Sequence, residues 1–176
     1  MVKGSFEGED ASAWFRSPVE LGWTRNIKFD HDFYGREALE KEVADPKRNI
    51  VTLVWNEDDV KDVYDSFFGE GDPYDFMDWP RGQWFAMYTS TVVDGDRIIG
   101  STTSRGYSYY YRKVLSHGVL DLDHTEPGTE VEVIWGDPGH PQKRIRATVH
   151  SYPYKPDNRR AELELVGSAP SLLSGK

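Results

Sequence analysis

Cysteine is absent from the 176 residues. That excludes disulfides, thiolate catalysis, iron–sulfur clusters and Cys-ligated zinc. The chain also lacks any apolar run long enough to cross a bilayer as a helix, and Met1 does not open the charged and apolar regions of a secretory signal. No membrane partner is expected, and a cytoplasmic location fits. Basic charge is scarce, with Lys+Arg 21 against Asp+Glu 30 and a formal net charge of −9, so a general nucleic-acid binder is not expected. The five histidines show neither His-x-x-x-His nor His-Glu-x-x-His spacing, which leaves a metal site without support. A Gly-x-Ser-x-Gly elbow is missing as well. The acidic runs at Glu57-Asp58-Asp59 and Asp121-Leu122-Asp123 read as helix starts or solvated faces before they read as acid–base pairs. No catalytic residue and no metal ligand are assigned.

Aromatic residues are what the chain has in quantity: 14%, with six Trp and ten Tyr. Aromatic faces without a basic field suit a planar organic ligand or a protein contact, although Trp and Tyr also fill ordinary strand positions. The run from Arg105 through Tyr107, Tyr109, Tyr110 and Tyr111 to Lys113 mixes bases and rings as nucleic-acid stacking platforms do. In so acidic a chain it reads instead as a hairpin loop.

The sequence is arranged around Ser17-Pro18-Val19-Glu20-Leu21-Gly22-Trp23 and the stretch from Lys28 to Leu39. Pro18 favours an extended entry, Gly22 permits close backbone approach beside Trp23, and Gly35 permits a turn that launches a helix. Residues 1–16 have no sustained period and read as an arm. A short helix over residues 36–43 is stopped by Pro46, and a strand rich in β-branched residues follows at 49–55. Asn56 caps a second helix, whose apolar face is Val60, Val63, Tyr64, Phe67 and Phe68.

From Gln83 the pattern is nearly all β. Strands are predicted at 84–93 and 97–103 about the Asp94-Gly95 turn, then at 113–121, 129–135, 145–149 and 161–166. Glu130 and Glu132 are expected opposite Arg144 and Arg146. Short strands at this spacing give a mainly β (α+β) fold, an antiparallel Greek-key-like β-barrel with one or two short helices and an N-terminal extension. The division is 1–47 arm and linker, 48–167 barrel, and 168–176 flexible tail.

Four stretches in order resemble the C-terminal half of the glycine-cleavage T-protein family, the tetrahydrofolate-dependent aminomethyltransferases. They are Pro18 to Trp23, Asp32 to Leu39, Ile99 to Ser108, and Pro153-Tyr154-Lys155-Pro156. The run from Gly128 to Val133 falls between the last two. His31-Asp32, the acidic stretch 57–78 and Leu115-Ser116-His117-Gly118 are closer to the branch of tetrahydrofolate-dependent aryl O-demethylases. His31 and His117 are singled out on this ground alone, and a hydrogen-bonded structural role is favoured for both.

The resemblance implies that residues up to about 43 end a folate-binding body and that the barrel follows it. The implied activity is transfer of a methyl or methylene group from an amine or aryl ether, the small-molecule donor, to the cofactor tetrahydrofolate. The implied contacts are Trp23, Lys28, Arg105 and Tyr107 as a wall closing the cleft, with Arg159 where the family places an aromatic residue. The family's catalytic Asp and most of its folate pocket precede the part matched here. The expected partner is therefore that N-terminal half or a separate subunit, with a homodimer formed through an uncovered apolar face as a further possibility. The fragment alone is expected to be inactive. A non-catalytic folate-binding or subunit-docking module is the alternative.

Overall fold

The structure, a computed structural model, describes residues 2–78 and 87–155. In chain order its elements are β1 (Val2–Lys3), α1 (Arg36–Ala44), β2 (Arg48–Trp55), α2 (Glu57–Asp65), β3 (Met87–Tyr88), β4 (Ser90–Asp94), β5 (Arg97–Ser108), β6 (Lys113–Asp121), β7 (Glu130–Trp135) and β8 (Lys143–His150). Three short 3-10 turns, Ala11–Trp14, Thr24–Asn26 and Leu122–His124, complete the set.

Six antiparallel strands close into a barrel in the order β2-β6-β5-β4-β7-β8. Strands β4, β5 and β6 form a meander and β7 returns beside β4, which is a Greek key. The period-two pattern places Val51, Leu53 and Trp55 of β2, Val131, Val133 and Trp135 of β7, and Ile145, Ala147 and Val149 of β8 in one buried cluster. Each large aliphatic among them contributes about 1.5–3 kcal/mol of burial. Gly100 is required where β5 crosses β6: its φ is +156°, and a Cβ there would lie 2.2 Å from the Val119 carbonyl oxygen.

Three polar side chains inside the barrel, Trp55, Ser116 and Thr102, are joined in a chain. The Trp55 indole donates to Ser116 Oγ at 2.8 Å, and Thr102 Oγ1 lies 2.7 Å from Ser116 Oγ and 2.8 Å from the His117 carbonyl oxygen. With one hydrogen per hydroxyl, Thr102 donates to the carbonyl and accepts from Ser116.

Helix α2 covers one barrel end. Asn56 Oδ1 accepts the amides of Asp58 and Asp59 at 3.1 and 3.0 Å, the capping predicted from sequence. Asp59 then clasps β8, accepting from the Arg146 amide at 2.8 Å and from its guanidinium at 2.9 and 2.8 Å. These hydrogen bonds hold the Asp59 carboxyl below the usual carboxylate range. The helix is shorter than its apolar pattern. It ends at Asp65, where Ser66 Oγ donates back to the Val63 carbonyl and accepts the Tyr74 amide, and Phe68 lies exposed outside the face predicted for it. The segment 72–78 plugs the barrel end with fully buried Met77, whose carbonyl accepts from Tyr64 Oη.

Two further expectations are revised. Strand β5 continues to Ser108 through an irregularity between Thr103 and Gly106, with Ser104 at φ +55°, so Arg105 to Ser108 are strand rather than loop. Glu132 does pair in register with Arg146, but its ion pair is diagonal, to Arg144 at 2.9 Å, because Asp59 occupies Arg146. The predicted strand at 161–166, the tail at 168–176 and Arg159 lie outside the described residues.

The arm lies along the barrel's outer wall. β1 pairs parallel with β3. Ser5 Oγ donates to the Ile134 carbonyl at 2.7 Å and accepts the Thr91 amide at 2.9 Å, and the Arg16 guanidinium donates to Ser101 Oγ at 2.7 Å. Residues Thr91, Ser101 and Val119 are buried beneath it although they point away from the barrel interior. Helix α1 follows from Gly35, which takes φ +83° as its cap, and the helix buries none of its residues.

Candidate functional site

Two surfaces collect the residues singled out in the sequence. The first is the turn after the arm. Ser17 Oγ donates to the Glu42 carboxylate and tethers this turn to α1, and backbone hydrogen bonds from Leu21, Gly22 and Trp23 close it into a compact bend. Gly22 packs at Ile50 of β2, where an added Cβ would lie 3.2 Å from the Ile50 side chain. Trp23 stands 53% exposed just beyond it. Lys28, five positions on, is exposed and has no carboxylate partner among the described residues. An exposed indole can stack a flat ring, and an unpaired cation can attract a carboxylate.

The second surface is the barrel end covered by α2. Arg105 points inward here: it is 6% exposed, its guanidinium lies 4.7 Å from the Trp135 ring centroid, and it pairs with Asp78 at 2.8 Å. Its charge therefore serves the barrel end, where it stacks on one ring and locks the 72–78 plug. Tyr107 lies two residues further along β5 and meets Tyr109 edge to face at 5.2 Å. It lines a cleft of about 670 Å³ together with Val60 and Tyr64 of α2 and Tyr109, Tyr111 and Val114 of the β5–β6 hairpin. Burial pushes the Tyr64 hydroxyl above its ordinary pKa, so it stays protonated at neutral pH.

The register separates these surfaces. On β6, Val119 pairs with Ile50, whereas Leu115 and Val114 pair with Gly106 and Tyr107. Four residues of strand set the two levels roughly 13 Å apart at about 3.3 Å per residue. The turn at Gly22 thus meets the barrel at one level, and Gly106 and Tyr107 lie at another.

The histidines differ from one another. His31 is exposed beside Asp30 at 2.8 Å. His117 packs edge-on to Tyr152 at 5.1 Å, and burial lowers its pKa, which favours the neutral ring. His140 joins a cluster that the sequence spacing did not disclose: Asp75, Asp137 and His140 bring ligand-type atoms within 4.8 Å of one another. Each is already engaged. His140 Nδ1 lies 2.7 Å from Asp75 Oδ1, the Asp137 amide donates to Asp75 Oδ2 at 2.6 Å, and the Gly4 amide donates to Asp137 Oδ1 at 2.7 Å. The group clasps the plug to the β7–β8 turn. Its only trace in the sequence is the Gly136-Asp137-Pro138-Gly139-His140 turn, and its partner lies far away in an acidic loop.

The fold and the sequence define the class. Residues 79–154 match the glycine cleavage T-protein C-terminal barrel domain, a stretch that takes in barrel strands β4 to β8. Among particular relatives, the chain is 46% identical over 158 residues to a sesamin methylene transferase from Sinomonas sp. (strain No.22), covering 84% of this chain and 35% of that protein. It is 33% identical over 164 residues to a syringate O-demethylase from Sphingobium sp., covering 87% of this chain and 35% of that protein. The chain thus spans about a third of the length of these relatives. In fold it is similar to the glycine cleavage system aminomethyltransferase T from Bartonella henselae, with a TM-score of 0.52 at 20% identity over 79% of this chain and 32% of that one. Among the described residues no helix is long and apolar enough to cross a membrane.

Proposed function

We propose that the chain is the C-terminal part of a tetrahydrofolate-dependent one-carbon transferase that moves a methyl or methylene group from an aryl ether or amine to the cofactor. The observation that carries this reading is the 46% identity to the methylene transferase across 84% of the chain. That identity covers more of the chain than the stretch from residue 48 onward alone. Division of the chain into 1–47, the end of a folate-binding body, and a barrel from residue 48 belongs to the same proposal.

The residues of the turn suit the cofactor. The exposed indole of Trp23 offers a face for a flat ring, and Lys28 offers a cation without a competing carboxylate among the described residues. Tetrahydrofolate, when bound, supplies the nitrogen that accepts the one-carbon unit. Trp23 and Lys28 would hold that ligand against the barrel wall and reduce its freedom, a contribution of proximity rather than of bond-making. Arg105 and Tyr107 would act at a distance from this wall, Arg105 by fixing the barrel end. Leaving-group protonation and electrostatic support of the donor fall to the part of the enzyme that precedes this domain in its relatives.

The partner surface is proposed on the same grounds. Helix α1 buries no residue, while Phe15, Trp23 and Tyr34 are 73%, 53% and 106% exposed. The preceding body of the enzyme would cover them.

A chimaera tests the proposal. This chain is substituted for the corresponding C-terminal third of the sesamin methylene transferase, and transfer to tetrahydrofolate is assayed. Activity within about tenfold of the parent is expected, and that activity is expected to fall in Trp23→Ala and Lys28→Ala chimaeras. A folded chimaera with no transfer, or one indifferent to both substitutions, contradicts the reading.

A further inference from the structure

We infer that Asp75, Asp137 and His140 form a binding site for a divalent transition-metal cation of the Zn²⁺ type, and that the ion cross-links the plug, the β7–β8 turn and the arm. This goes beyond the transferase reading and does not rest on it, because it uses none of the residues proposed to meet the cofactor or the preceding body.

The first argument is the ligand set. One ligand-type atom from each of the three side chains lies within 4.8 Å of the other two. The set is an imidazole with two carboxylates rather than a group of acids alone, and these are the nitrogen and oxygen donors that Zn²⁺ accepts. His140 Nδ1 and Asp75 Oδ1 stand 2.7 Å apart, near the spacing of about 3 Å that two ligands adopt on one zinc ion at ordinary bond lengths. Coordinating capacity remains in each group. Among the described residues His140 Nε2 has no hydrogen-bond partner and Asp137 Oδ2 accepts no hydrogen bond. A carboxylate oxygen that accepts one amide hydrogen still keeps a lone pair for a metal.

The second argument is charge, and it is independent of the first. Asp75 and Asp137 are half-buried neighbours, and among the described residues neither pairs with a lysine or an arginine. They line a cavity of about 260 Å³ that Lys3 also lines without pairing with either. Arg105, the nearby guanidinium, is committed to Asp78 and the Trp135 ring. Two adjacent carboxylates faced by one imidazole leave a negative balance in the cavity, and a divalent cation there completes it.

The third argument is support behind the ligands. The Asp137 amide donates to Asp75 Oδ2 at 2.6 Å, the Gly4 amide donates to Asp137 Oδ1 at 2.7 Å, and the Trp135 indole donates to the Asp75 carbonyl at 2.8 Å. Such outer hydrogen bonds orient carboxylate ligands in metal sites. Residue 75 is far in sequence from 137 and 140, so an ion held between them closes a long loop, and Gly4 ties the arm to the same point.

Calorimetric titration of the full chain, stripped with EDTA, with ZnCl₂ tests the site, with the melting temperature read in parallel. One Zn²⁺ per chain is expected, with a Kd below about 10 μM, and the melting temperature should rise with Zn²⁺ because the ion binds the folded chain. MgCl₂ should do neither, since Mg²⁺ prefers an oxygen shell. His140→Gln and Asp137→Asn should each weaken Zn²⁺ by about tenfold or more and remove the rise. Both replacements keep a polar side chain, and Asp137→Asn retains an oxygen for the Gly4 amide.

A second measurement needs no variant. Paramagnetic Co²⁺ at one equivalent should broaden the indole N–H signal of Trp135, which donates to Asp75, ahead of that of Trp23. Absence of saturation, uptake unchanged in both variants, or broadening that spares Trp135 overturns the site and leaves only ions on scattered surface groups. Binding that leaves the melting temperature unchanged overturns the cross-link.

Discussion

The barrel and the arm differ in what they bury. Strands β2, β7 and β8 each contribute three residues to one core, several with no exposed surface at all, such as Leu53, Val133 and Ile145. Among the described residues of the arm and α1, Val19 at 7% exposure is the one buried hydrophobic, and Phe15, Trp23 and Tyr34 stand in solvent. The barrel's core is closed within the chain, whereas the arm is fastened by hydrogen bonds from Ser5 and Arg16 and turns Phe15 outward while Phe6 packs edge to face on Trp14. Rings left exposed beside a fixed backbone suit a ligand or another protein surface.

This contrast can be broken from the barrel side first. Leu53→Ala removes a fully buried side chain at the centre of the core, and a loss of about 4 kcal/mol in denaturant unfolding is expected. Gly100→Ala forces a Cβ against the Val119 carbonyl oxygen; about 3 kcal/mol is expected, as for an overpacked site. Asn56→Ala uncaps α2 by removing the acceptor for two amides, at a cost of about 1 kcal/mol in the same assay.

A pH series sharpens the picture of the barrel's far end. His124 lies 2.7 Å from Asp123 and 3.2 Å from Asp94, and the hydrogen bond to Asp123 raises its pKa above the ordinary histidine value, with Asp94 acting in the same direction. The folded chain therefore binds this proton more tightly than the unfolded chain does. Its stabilising contribution is fully present below about pH 6.5, the unfolded value, and is lost as pH rises through the raised folded value. The melting temperature should fall over that interval in the parent chain and fall less in His124→Gln. Equal slopes would show that the ion pairs stabilise nothing. The smallest effect belongs to the arm: Trp23→Ala should change stability by less than about 0.5 kcal/mol, and a larger loss would mean that Trp23 is part of the core.

Much of the barrel was legible because its strands alternate. Val131 and Val133 against Glu130 and Glu132, and Ile145, Ala147 and Val149 against Arg144, Arg146 and Thr148, state in sequence which side faces inward. The Asn56 cap was equally plain. What escaped depended on distant partners. Arg105 reads as a loop cation until Asp78 and Trp135 are placed around it, and the diagonal Arg144–Glu132 pair depends on Asp59 having taken Arg146. The Phe68 position failed because the 3.6-residue period continued past the point where the Ser66 side chain turned the helix into the plug. Trp23 and Lys28 were singled out through a family resemblance, not through their spacing. The cleft was half visible as a tyrosine run, but its α2 wall was not.

The most direct test of the central claim is a titration of the intact chain with tetrahydrofolate, read by tryptophan fluorescence corrected for absorption and repeated on Trp23→Phe and Lys28→Ala. The account predicts saturable binding that both substitutions weaken. Binding unchanged by either substitution, or no binding up to about millimolar tetrahydrofolate, where a contact worth roughly 4 kcal/mol would register, would contradict it.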